Sequence, residues 1–229
     1  MNAKPRLMIQ LAITAMFLAT SVAAVAGDDF PGGEPDRRVL EAQQKVDELF
    51  EKGDYERAYF IYREELAPLG DKYAQYMLGY MNIVGKGVAR DYIAGSAWYH
   101  LAAERGDASF SQARDEVWEQ LNEELRIQSD HQYVELRLVY SDAMIIASYI
   151  EKDLELISRR SQRSTLSNDL VDSQNQFDAD RTRLVEEAQQ RLQRRLEFLS
   201  DTIASGKPMA EAEIARARDV EKRARAAIR

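Results

Sequence analysis

The chain has 229 residues, 45% hydrophobic and 31% charged, with a formal net charge of −8; this supports one folded domain plus an extension and excludes a disordered chain. It holds no cysteine and only two histidines, His100 and His131, which excludes disulfides, thiolate nucleophiles, zinc–cysteine sites and histidine-rich metal centres. Residues 181–229 carry 12 Lys and Arg against 8 Asp and Glu, so the acidity lies in the body; without a concentrated basic face, nucleic acid is not expected as a partner.

The N-terminal segment addresses location. Lys4 and Arg6 precede an apolar run, Leu7 to Val25, broken only by Gln10, Thr14, Thr20 and Ser21. Ala24-Val25-Ala26 then meets Gly27-Asp28-Asp29. A basic start, an apolar stretch and a small-x-small site form the layout of a secretory signal peptide over residues 1–26. Cleavage is expected after Ala26, giving a periplasmic or secreted protein. The run also nears the ~20 residues needed to span a bilayer, so an uncleaved inner-membrane anchor is the alternative, and only then is a membrane a partner. Residues 27–35, rich in Pro and Gly, read as a linker.

Helical spacing begins next, over 36–128. Val39, Ala42, Val46 and Leu49-Phe50 form one stripe. Gly53 ends that helix and Asp54 caps another, with Ala58, Ile61-Tyr62 and Leu66 in phase until Pro68-Leu69-Gly70. A third helix carries Ala74, Met77-Leu78 and Met81 and stops at Gly85-Lys86-Gly87. Asp91 caps a fourth, which runs through Trp98-Tyr99 and Ala102-Ala103 to Gly106. A fifth is expected from Asp107 through Ala113, Val117 and Leu121 to about Leu125. No strand alternation interrupts this, and the fold class is all-α. Gly79 falls inside a helix, where glycine costs ~1 kcal/mol against alanine; close approach of a neighbouring helix is the expected return. Gly85-Lys86-Gly87-Val88 lacks both the Ser/Thr and the preceding strand of a phosphate loop. It is expected to be a helix-to-helix corner, with Lys86 solvated.

The same stretch repeats itself. Residues 53–62 lie over 90–99, with Asp54 on Asp91, Tyr55 on Tyr92 and Tyr62 on Tyr99; Gly70-Asp71 lies over Gly106-Asp107. Offsets of about 36 residues between helix pairs suggest an α-solenoid. Leu78, Gly79, Gly85, Gly87, Val88, Asp91, Trp98, Tyr99, Ala102, Ala103 and Gly106 together resemble the Sel-one-like repeat, a relative of the tetratricopeptide repeat. Asn82 and Gly95 depart from that pattern, where Tyr and Ala are usual. The resemblance covers about residues 53–125. It implies a short α/α solenoid and a non-enzymatic adaptor or regulator of an envelope system.

Beyond it, residues 130–157 read as one long helix with a broad apolar surface, including Val134, Leu138, Ala147, Ile150, Leu154 and Ile157. This capping helix, 129–158, is expected to close the open end of the solenoid. A helical, coiled-coil-like extension follows over 159–229. Its first part, to Arg181, is polar. Val185, Ala188, Leu192, Leu196, Leu199 and Ile203 then form a short seam, and Pro208 opens a last helix with a weak stripe of Ile214, Ala217, Val220, Ala224 and Ile228.

Chemistry is sparse. Neither histidine has a nucleophile assembled with it, and adjacent carboxylates in so acidic a helical chain are solvated faces. No catalytic, cofactor-binding or metal-ligating residue is assigned. Tyrosine is favoured at protein contacts, so Tyr55, Tyr59, Tyr62, Tyr73, Tyr76 and Tyr80 are the candidate partner-binding residues on a concave face. The expected function is protein–protein interaction in the bacterial cell envelope, with self-association through the C-terminal helices as a further mode. The alternatives are an envelope hydrolase acting on peptidoglycan or a β-lactam, and a structural coiled-coil oligomer.

Overall fold

The computed structural model describes residues 37–164 and 174–228, with side chains described over 39–159 and 183–228. The expected signal peptide, its cleavage site, the 27–35 linker and much of the polar stretch before Arg181 lie outside them. Among the described residues every regular element is helical. None of these helices is long and apolar enough to cross a membrane. The chain divides after Tyr140 into two compact units.

The first unit contains α1 (Arg37–Glu51), α2 (Tyr55–Ile61), α3 (Lys72–Val84), α4 (Tyr92–Ala102), α5 (Ala108–Gln120) and α6 (Glu123–Tyr140). Aspartates start four of them. Asp54 accepts from the Arg57 N–H, Asp71 from Ala74, Asp91 from Ile93 and Ala94, and Asp107 from Ser109 and Phe110. Each cap satisfies donors that the first turn leaves open and contributes about 1 kcal/mol. α2 runs on through a π-helical turn, Tyr62–Leu66, into a 3-10 turn, Ala67–Leu69. Pro68 has no N–H to carry the α pattern further. α3 packs along α4, and α4 along α5 and α6.

Two boundaries differ from expectation. α5 stops at Gln120, because Leu121 is extended and the Asn122 side chain accepts from the Leu125 N–H, capping α6. The single helix expected over 130–157 is two helices, α6 and α7 (Asp142–Ser164). The Ser141 hydroxyl accepts from the Met144 N–H at 3.3 Å, a local bond that competes with continued helix and restarts the chain.

The second unit is a bundle of α7, α8 (Gln174–Ala204) and α9 (Glu211–Ile228), each packed on the other two. Ala188, Leu192, Leu196 and Leu199 of the seam are buried, as are Ile150 of α7 and Ala217, Val220 and Ala224 of α9. The last stripe is weak in sequence because its alanines serve close helix contact rather than bulk. Asp153 and Arg195 form a buried ion pair at 2.5 Å, with the guanidinium 4.7 Å from the Tyr149 ring centre. Glu213 is fully buried and accepts from the Ser141 hydroxyl at 2.7 Å and the Ala210 N–H at 3.2 Å, so one carboxylate joins the starts of α7 and α9. Glu213→Ala is expected to cost about 1–3 kcal/mol, from a lost cap and an orphaned hydroxyl. Faster amide exchange across α9 in the variant checks this.

Candidate interaction surface

The expected glycine contact between α3 and α4 is present. A Cβ on Gly79 would sit 2.6 Å from Tyr99 Cδ1, and one on Gly95 would sit 2.6 Å from Ile83 Cδ1 and 3.0 Å from the Gly79 carbonyl oxygen. Gly95, a departure from the repeat pattern, therefore has its own packing reason. Leu78, Trp98, Tyr99, Ala102 and Ala103 are all buried around this crossing. Asn82, the other departure, is buried too and donates to the Leu78 carbonyl at 2.8 Å.

Gly85-Lys86-Gly87 is a corner closed on itself. Gly85 is left-handed at φ 75°, and the Gly85 and Lys86 N–H groups both donate to the Met81 carbonyl. Two of the amides a phosphate cradle would use are thus committed to ending α3. Gly87, at φ 70°, lies against the backbone of α2: a Cβ there would stand 2.1 Å from the Tyr55 carbonyl oxygen. Lys86 is half-buried, not solvated as expected. Its ammonium lies 4.6, 5.4 and 5.7 Å from the ring centres of Tyr55, Phe50 and Tyr80. The three rings come from three helices, so sequence spacing gave no sign of this cage; the corner's cation pins it to α1 and α2. Beside it is an open hollow of about 820 Å³ lined by residues 52–56 and by Gly85, Gly87, Val88 and Ala89.

The tyrosine cluster divides between core and partly open positions. Tyr62, Tyr76 and Tyr80 are only 1%, 9% and 6% exposed, while Tyr55, Tyr59 and Tyr73 are half-buried. Tyr76 contacts Tyr73, Tyr99 and Phe110 at ring separations of 5.1–6.3 Å. Burial pushes the Tyr76 hydroxyl up to about 12 and those of Tyr62 and Tyr99 up as well. α3 carries the polar side chains Lys72, Gln75 and Asn82 among its apolar ones. It is buried on most sides, and its tyrosines fill the space between helices.

Sequence reasoning also missed a buried ionic cluster. The Lys72 ammonium donates to Glu104 at 2.8 Å, Gln75 at 3.1 Å and the Leu101 carbonyl at 3.3 Å. Arg137 of α6 lies 3.8 Å from the other Glu104 oxygen and donates to the Tyr133 hydroxyl at 2.8 Å. Gln75 donates to the Tyr140 carbonyl at 3.1 Å. All three charged side chains are less than a tenth exposed. The cluster ties the start of α3 to the end of α4 and to α6.

His100 is sandwiched between Trp118 and Tyr133, with ring centres at 4.8 and 5.4 Å, and His131 is exposed. Burial, then the Arg114 guanidinium, depresses the His100 pKa below its ordinary 6.5, against the pull of Asp130 and Asp115. The unfolded chain therefore binds the proton first. The stability held by neutral His100 is complete above pH 6.5 and falls away as pH drops towards the depressed value. His100→Gln is expected to flatten the fall of the melting temperature as pH drops below about 6.5, read by differential scanning calorimetry.

Among the described residues no three His, Asp or Glu side chains are grouped to hold a metal. The large apolar side chains left exposed on the first unit are Leu40, Phe60, Ile127, Val134 and Val139, the last three on α6. No family model, characterised protein or solved structure matches this chain.

Proposed function

We propose that the protein is a non-enzymatic adaptor of the bacterial cell envelope, built on Sel-one-like α/α repeats that stack into a short solenoid and present an outer surface to a partner protein. One observation carries this reading. Ala67-Pro68-Leu69-Gly70-Asp71 and Ala103-Glu104-Arg105-Gly106-Asp107 share one local geometry: a 3-10 turn, a glycine at φ 83°, and an aspartate capping the next helix. The offset between them is that of the sequence repeat, and a chain that repeats its corners stacks its helix pairs. Placement in the envelope rests on the N-terminal pattern of a basic start, an apolar run and Ala-x-Ala. Solenoids work through surfaces, and the buried Lys72–Glu104–Arg137 cluster joins helices to one another.

Affinity capture of the full chain from a crosslinked envelope fraction tests the proposal. Recovery of one defined protein, with no turnover of labelled peptidoglycan fragments or a β-lactam by the purified chain, is the expected result. Turnover abolished by a single Glu or Ser change overturns it.

A further inference from the structure

We propose that the outward face of α6 is the docking site, and that its occupant is a basic amphipathic helix of a partner protein; this rests on the adaptor reading above. α6 has 18 residues and packs on α4 with Ser129 and Arg137 buried. On the opposite side Ile127, His131, Val134 and Leu138 follow one another at gaps of 4, 3 and 4. That is the spacing of a heptad seam. Ile127 and Val134 are 53% and 44% exposed, His131 is exposed and Leu138 half-buried. Val139, also exposed, lies one turn beyond Glu135 on the neighbouring edge. Single exposed apolar residues are ordinary, but a register of this kind is not random scatter. β-Branched valine is also a poor choice for helix formation alone.

The flanks identify the occupant. Glu123 and Asp130 lie along one edge of the seam and Glu124 and Glu135 along the other, all exposed. None of the four forms an ion pair among the described residues, whereas many of the exposed cations of the second unit are paired at i,i+4 or between helices. A row of Ile127, Val134 and Leu138 with one histidine, set between two acidic rows, complements a helix carrying apolar a and d positions flanked by Lys or Arg. A second copy of α6 is disfavoured, because its acidic edges would meet these.

The probes are two synthetic three-heptad peptides with leucine at a and d, one with lysine and one with glutamate at e and g. Binding to the full chain is read by fluorescence anisotropy. The lysine peptide is expected to bind saturably and the glutamate peptide at least about tenfold more weakly. Ile127→Asp with Val134→Asp is expected to weaken the lysine peptide by about tenfold or more, without moving the thermal transition. Changing Glu123, Glu124, Asp130 and Glu135 to Lys is expected to invert the preference. Binding of neither peptide, or an unchanged affinity in the apolar variant, overturns the proposal. So does a charge-reversed variant that still prefers lysine, which would show adsorption to the acidic chain as a whole. A dimer in sedimentation that the apolar variant abolishes assigns the face to a second copy and also overturns it. Envelope capture that persists in the apolar variant removes this site and leaves the adaptor reading standing; capture that recovers nothing with the unmodified chain removes both.

Discussion

Glu104→Ala is expected to destabilise the first unit by about 3–5 kcal/mol, because it removes the carboxylate that the buried Lys72 and Arg137 share. Both tryptophans, Trp98 and Trp118, belong to that unit, so urea unfolding followed by tryptophan fluorescence reads it apart from the second. Glu104→Gln keeps an acceptor for the Lys72 ammonium and is expected to lose less. The instructive control removes the whole cluster. Lys72→Met, Glu104→Leu and Arg137→Met together take away three desolvated charges at once, and the triple variant is expected to lie within about 2 kcal/mol of the parent or above it. A triple variant as unstable as the single one would show that the cluster contributes net stability rather than fixing which helices meet.

Gly87→Ala is the second large effect. The substitution forces a side chain into left-handed φ, at about 1–2 kcal/mol, and drives Cβ into the Tyr55 carbonyl, a backbone atom that no rotamer change can move. A total loss above about 3 kcal/mol is expected, together with release of Lys86 from its ring cage. Gly106→Ala has the same backbone sign, φ 83°, but open space around the added carbon. It is expected to cost only the conformational part, about 1 kcal/mol. Gly85→Ala, 3.3 Å from Arg90 Cβ, belongs between them. Equal losses at all three would mean that the α2 contact contributes nothing. Melting temperatures of the three variants, compared on one buffer, decide it.

These residues also show what the sequence made readable. Gly-Asp pairs at 53–54, 70–71 and 106–107 announced helix ends because each residue acts locally: glycine takes positive φ and aspartate caps three residues on. Gly79 was legible because a mid-helix glycine has a known cost and few reasons to be kept. The break at Ser141 was not, since Ser141 lies within an unbroken apolar pattern and a capping serine looks like any other serine. The Lys86 cage and the Lys72–Glu104–Arg137 cluster were illegible for another reason. Their members come from separate helices, and only packing brings them together. Which tyrosines stay open was not legible either, because residue type alone does not say which side of a helix is covered. α3 carries them on several sides and is buried on nearly all of them. On α6 the opposite happened: Val134 and Leu138 read as core, and the structure turns their row outward.

The proposed adaptor role requires that these helices present a surface to another protein. A photoreactive residue in place of Val134, and separately in place of the exposed Glu64 of the π turn, tests it most directly when irradiated in intact host cells. A discrete crosslinked product of one added mass is expected from position 134 and none from position 64. No product at position 134 under any growth condition, or equal products from both positions, would contradict it.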